Sequence, residues 1–82
     1  MNKYDQVQDV VDAIERELFI EVPKGYGVEV SNNTFQIAFD DVLDYRDLDA
    51  VEDVAFDYAT SARDISTNQG SRPFVSSLTI RF

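Results

Sequence analysis

Apolar residues near the start of the chain recur with the period of a helix. In YDQVQDVVDAIERELF (4–19), Tyr4, Val7, Val10, Val11, Ile14 and Leu18 fall on one stripe. Asp5, Asp9, Asp12 and Arg16 fall opposite, and Asp12 and Arg16 have the i,i+4 spacing of an ion pair. Asn2 or Asp5 is placed to cap the start, and Pro23 and Gly25 set the stop before them. The period then changes to two. In YGVEVSNNTFQIAF (26–39), apolar and polar residues alternate on either side of Asn32-Asn33, a pair suited to the two positive-φ sites of a type I′ turn. A two-residue loop there sets Val30 opposite Phe35, Val28 opposite Ile37 and Tyr26 opposite Phe39. All six are apolar and share one face, while Glu29 and Gln36 pair on the other. This reading predicts that Val28, Val30, Phe35, Ile37 and Phe39 enter the core.

Helical spacing returns downstream. Asp44 or Asp47 caps a helix that runs to about Ala62 or Arg63, with Leu48, Val51, Ala55, Tyr58, Ala59 and Ala62 as its core stripe. STNQGSRP (66–73) has the composition of a loop. FVSSLTIRF (74–82) reads as a last strand, with Phe74, Leu78, Ile80 and Phe82 alternating against Val75, Ser77, Thr79 and Arg81. The order α-β-β-α-β predicts a single two-layer α+β domain over residues 1–82. A right-handed crossover that skips one strand puts the third strand beside the first. The expected architecture is a three-stranded antiparallel sheet in order 2-1-3, with two helices on one face. Glu29, Ser31, Thr34, Gln36, Ser77, Thr79 and Arg81 then form an open polar face, as an antiparallel sheet allows.

Composition narrows the chemistry. A chain of 82 residues has a modest core, and its six Phe and four Tyr supply bulk that argues against disorder. The sequence has no cysteine, hence no disulfide and no thiolate metal site, and no histidine, the commonest general base and metal ligand. Its serines and threonines therefore lack a histidine base. Lys3 and Lys24 stand in no S-x-x-K pattern, and Gly25-Tyr26-Gly27 is too short for a phosphate loop. Paired carboxylates need a cleft to separate their pKa values, and a chain this short offers few. The expectation is a non-enzymatic protein without cofactor. Asp47, Asp49 and Asp53 supply hard oxygens, but Ala50, Val51 and Glu52 interrupt the EF-hand pattern, so no metal site is expected. With no signal-like N-terminus and no apolar run of membrane length, a cytoplasmic protein without membrane contact is expected.

The charge is uneven. The net charge is −9: residues 1–39 carry −4, residues 40–57 carry −7, and residues 58–82 carry +2. DDVLDYRDLDAVEDVAFD (40–57) holds eight carboxylates and one base, Arg46. Such a surface repels nucleic acid and anionic membrane and favours a basic partner. On the expected helix, Asp49, Asp53 and Asp57 recur at i,i+4, and Asp40, Asp41, Asp44 and Asp47 extend the acid towards its start. Like charges at that spacing weaken a helix by a few tenths of a kcal/mol per pair, so the row is not there for the fold. Phe56 falls inside the acidic arc, between Glu52 and Asp49, where an aromatic ringed by polar groups suits an anchor role. The candidate partner-binding set is therefore Asp40, Asp41, Asp44, Asp47, Asp49, Glu52, Asp53, Phe56 and Asp57. The bland alternative is a solvated face.

In length, acidity and lack of cysteine, the whole chain resembles small phage-encoded inhibitors of host defence, the anti-CRISPR and DNA-mimic proteins. The resemblance implies binding to a CRISPR effector or another nucleic-acid-processing protein and exclusion of its DNA. Effectors that read a short DNA motif with arginines would suit. A phage origin would place the chain in the host cytoplasm, as a monomer or weak homodimer. Two other classes compete. One is an interaction module (an antitoxin, adaptor or regulatory subunit) that uses the polar sheet face or Phe56 rather than the acidic row. The other is a halophile-type housekeeping domain with acid spread for solvation.

Overall fold

The computed structural model describes residues 2–23 and 28–82, with Val28 described by its backbone alone. Helix α1 (Lys3–Ala13) runs into a π-helical turn at Ile14–Leu18. Strands β1 (Val28–Ser31) and β2 (Thr34–Ala38) follow, then helix α2 (Tyr45–Tyr58), strand β3 (Asp64–Asn68) and strand β4 (Ser77–Arg81). The fold is α+β, with two helices over an antiparallel sheet. The sheet has four strands, not three, and its order is β1-β2-β4-β3. The last strand lies beside the second hairpin strand rather than the first, which corrects the expected 2-1-3 order. β4 pairs β2 from Thr34↔Arg81 to Ala38↔Ser77, and pairs β3 from Asp64↔Arg81 to Asn68↔Ser77.

α1 starts where Asn2 accepts the Asp5 N–H at 2.9 Å. Val7, Val10, Val11 and Ile14 are buried as the stripe predicts, and Leu18 is half-buried. Tyr4 stays exposed, although its ring meets Phe35 edge-on at 5.4 Å. The expected Asp12–Arg16 pair is replaced: Gln8 donates to Asp12, while Arg16 turns to Glu17 and Tyr58. Gln6, off the stripe, is buried and donates to Ser61 Oγ while accepting the Ser61 N–H, so it joins α1 to the segment after α2. The helical stretch stops at Phe19, whose φ of 57° is left-handed. The stop assigned to Gly25 lies outside the described residues, as do the pairing of Tyr26 with Phe39, the core position of the Val28 side chain, Lys24, and Gly25-Tyr26-Gly27.

The hairpin turns at Asn32-Asn33 as expected, and Ser31 faces Thr34. Only Asn33 takes a positive φ, 60°, so the turn is not type I′. The register then slips by one between Glu29 and Ser31: Glu29 faces Phe35, and Val28 faces Gln36. This is the signature of a β-bulge, in which one extra residue reverses the facing of those before it. Val30 is accordingly 54% exposed rather than core. Glu29 is not on the open face. It accepts hydrogen bonds from the Asn33 N–H, the Tyr4 hydroxyl and Lys3, and so ties the hairpin to the start of α1. Phe35, Ile37 and Phe39 are buried as predicted.

α2 is capped by Asp44, which accepts the Asp47 N–H at 2.8 Å. Leu48, Val51, Val54, Ala55 and Ala59 are buried beneath it. It ends at Tyr58, earlier than Ala62, because Ala59 leaves helical geometry at ψ 65°. Just beyond the expected helix end, β3 takes residues 64 and 65 together with the first three residues of the stretch expected to be loop. The open face of the sheet carries cross-strand rows Thr34–Arg81–Asp64, Gln36–Thr79–Ser66 and Ala38–Ser77–Asn68, polar apart from Ala38.

Two exposed clusters make stability pH-dependent. The Asn33 N–H, and after it the Tyr4 hydroxyl and Lys3, hold the Glu29 carboxyl below the usual glutamate range. The Tyr58 hydroxyl, at 2.6 Å, and Arg16, at 3.1 Å, do the same for Glu17. A carboxyl with a lowered folded pKa binds fewer protons folded than unfolded. Its stabilisation is complete above the unfolded value, about 4.3, and is lost as pH falls through the folded value. Urea midpoints should therefore fall as the solution is acidified below about pH 4.3. Glu29→Gln and Glu17→Gln should each lower the midpoint at pH 7 and shallow the acid slope. An unchanged slope in the double variant would show that the two clusters do not couple to folding.

Candidate functional site

The outer arc of α2 follows from which residues its inner arc uses. With Leu48, Val51, Val54 and Ala55 turned to the core, Asp49, Asp53 and Asp57 are left exposed. Four residues of helix rise about 6 Å, so the three form a slightly drifting row. Among the described residues, no side-chain hydrogen bond or ion pair engages Asp49, Glu52, Asp53 or Asp57. Glu52 is half-buried. Phe56 is 56% exposed, so it belongs to the surface and not to a wide buried arc. Tyr45, absent from the sequence-based set, is 70% exposed and falls within about 20° of Phe56 around the helix. The two rings lie about 16 Å apart along the axis, with Asp49 and Glu52 between them. The helical wheel that placed Phe56 also places Tyr45.

The acids before the helix differ among themselves. Asp44 is occupied as the N-cap, and Asp47, half-buried, receives that cap at its backbone. Asp41 accepts its neighbour Val42's N–H at 2.7 Å and meets Arg72 at 3.2 Å. Asp40 is exposed and has no side-chain partner among the described residues. The free acidic surface is thus Asp40 and Asp47 with Asp49, Glu52, Asp53 and Asp57, while Asp41 and Asp44 serve local structure.

The loop from Gln69 to Ser76 was not legible as a feature. Ser76 is buried. Its hydroxyl donates to the Gln69 carbonyl at 2.6 Å and accepts the Leu43 N–H at 2.7 Å, while its own N–H bonds the Asp41 carbonyl at 3.1 Å. Gln69 Nε2 donates to the Leu43 carbonyl at 3.1 Å. Gly70 turns the chain at φ 68°, and Phe74 N–H closes on the Ser71 carbonyl. These bonds fasten the loop to the acidic segment and lift Phe74 outward to 73% exposure. The alternation that set Phe74 on the apolar side of the last strand fails because β4 begins only at Ser77. Pro73, Phe74 and Val75 form a ridge between two hollows. One lies over the open sheet at Gln36, Asn68 and Ser77, and the other runs along Asp40, Asp41, Val42 and Arg72.

Among the described residues, no group of three or more acidic side chains gathers where it could hold a metal ion. No described helix is long and apolar enough to cross a membrane. Comparison with protein families, curated proteins and solved structures gives no match.

Proposed function

We propose that this chain is a non-enzymatic inhibitor that binds a nucleic-acid-processing host-defence protein, such as a CRISPR effector, through an acidic surface that imitates DNA. The observation that carries the reading is the row Asp49, Asp53 and Asp57. These carboxylates are exposed, unengaged within the described structure and unnecessary to the helix that presents them. A cleft lined with lysine and arginine meets such a row as it meets phosphates. The exposed Tyr45 and Phe56 favour a second reading, in which the same helix docks on a protein partner without mimicry.

Competition separates the two. The nuclease retained on the immobilised chain is titrated with wild type and with Asp49→Asn, Asp53→Asn and Asp57→Asn combined, at low and at physiological salt. The triple variant should fold as well as wild type, or slightly better. It should associate roughly tenfold more slowly at low salt, and it should no longer displace the nuclease's DNA. Phe56→Ala should instead hasten dissociation. Equal binding of wild type and triple variant at both salts would leave the adaptor reading in possession of the site.

A further inference from the structure

We infer that the Phe74 loop seats an arginine side chain of the basic partner, its guanidinium lying on the Phe74 ring and its N–H groups donating to Asp40. The inference deepens the proposed function and rests on it for the basic character of the partner.

Among the described aromatics Phe74 is the most exposed after Phe19, and its loop is not free to fold it away. Ser76, Gln69 and the Ser71–Phe74 turn hold the loop, and Gly70 lets it turn. An aromatic held in place by such bonds meets little ordering entropy when it binds. The hollow beside it supplies the charge. Asp40 and Asp41 line it with Val42, and the one cation among its lining residues is Arg72. Arg72 already pairs Asp41, at 3.2 Å, with its own side chain 84% exposed. A pair this exposed adds little, and it leaves Asp40 unmatched. An apolar ring that lines the same hollow as an unmatched carboxylate is complementary to a flat cation. Arginine fits better than lysine because its planar guanidinium stacks on the ring while its fork reaches the carboxylate. The hollow lies at the start of the acidic segment in sequence, ahead of the helix that carries the row.

The test uses nona-arginine and nona-lysine peptides, equal in charge, titrated into the whole chain and followed by amide chemical shifts. Wild type should bind nona-arginine roughly two- to fivefold more tightly than nona-lysine, with the largest shift differences at residues 40–42 and 72–75. Phe74→Ala should abolish that preference while keeping the amide spectrum of the fold, since the ring lies outside the core. Phe56→Ala should retain the preference, and Asp40→Asn should reduce it. Equal affinities for the two peptides, or a preference that survives Phe74→Ala or vanishes with Phe56→Ala, overturns the inference. The Asp49, Asp53 and Asp57 triple variant tests the underlying reading separately. It should weaken both peptides alike and leave the preference intact. If it weakens neither, the acidic row is only solvated surface, whether or not the arginine preference at Phe74 holds.

Discussion

Phe35→Ala should lower the stability of the domain by about 3–5 kcal/mol. Phe35 is 1% exposed, the largest side chain among the described residues buried so completely. Its ring meets Tyr4 edge-on at 5.4 Å and Phe82 edge-on at 5.8 Å, and Lys3 Nζ lies 5.9 Å from its centre. It thus joins β2 to the first turn of α1 and to the residue that follows β4. Removing it opens a cavity at the point where three parts of the chain meet. A domain of this length is stable by about 4–12 kcal/mol, so the loss is a large share of the whole. A urea titration should show a much lower midpoint with an unchanged slope. Phe35→Leu should retain part of the difference because it keeps apolar volume. A loss below about 1 kcal/mol for the alanine variant would show that the ring is not a core residue.

Gly70→Ala should disrupt the loop that carries Phe74. A Cβ at Gly70 would lie 2.5 Å from the Val75 carbonyl oxygen and 2.7 Å from that of Phe74, and both are backbone atoms. The residue also sits at φ 68°, where side chains other than glycine are strained. Strain alone costs about 1–3 kcal/mol, and the clash forces the loop to move as well. Ser76 and Gln69 bond the loop to residues 41–43, so the movement should reach the acidic segment. Amide shifts should change across 39–43 and 69–76 and stay unchanged in the second half of α2. The arginine preference should disappear with the loop's shape, while the α2 row should keep its attraction for basic peptides. A spectrum unchanged at 39–43 would show that loop and acidic segment are not coupled.

The two helices were legible because many apolar positions repeat at helical spacing, so a misplaced end costs little. α2 was read too long because Ala59 and Ala62 continue its stripe, and small residues do not reveal where the backbone turns away. The hairpin's turn was legible from Asn32-Asn33, but not its register. One asparagine rather than two takes the left-handed conformation, and the bulge before it leaves Val30 exposed and sets Glu29 opposite Phe35. β3 was missed for a physical reason. DISTN is rich in turn-formers, and Ile65 is its only buried residue, because an edge strand with one wet face needs few apolar positions. Once β3 is missing, the order of the sheet cannot come out right. The exposure of Asp49, Asp53 and Asp57 was legible, since it follows from the stripe opposite. The Phe74 loop was not, because what holds it is a set of bonds from Ser76 and Gln69, residues that carry no pattern of their own.

The strand order has a consequence for how the acidic surface comes into being. β4 lies between β2 and β3, and each of them bonds to it rather than to the other. Until residues 77–81 are in place, the hairpin and β3 remain separate pieces with no shared sheet. The row on α2 lies wholly upstream, complete in sequence by Asp57. A fragment ending before Ser77 therefore contains every carboxylate of that row but lacks the strand that joins the hairpin to β3. Closing the sheet joins Phe35 to Ile80 across more than forty residues of chain, a long-range contact of the kind that slows folding.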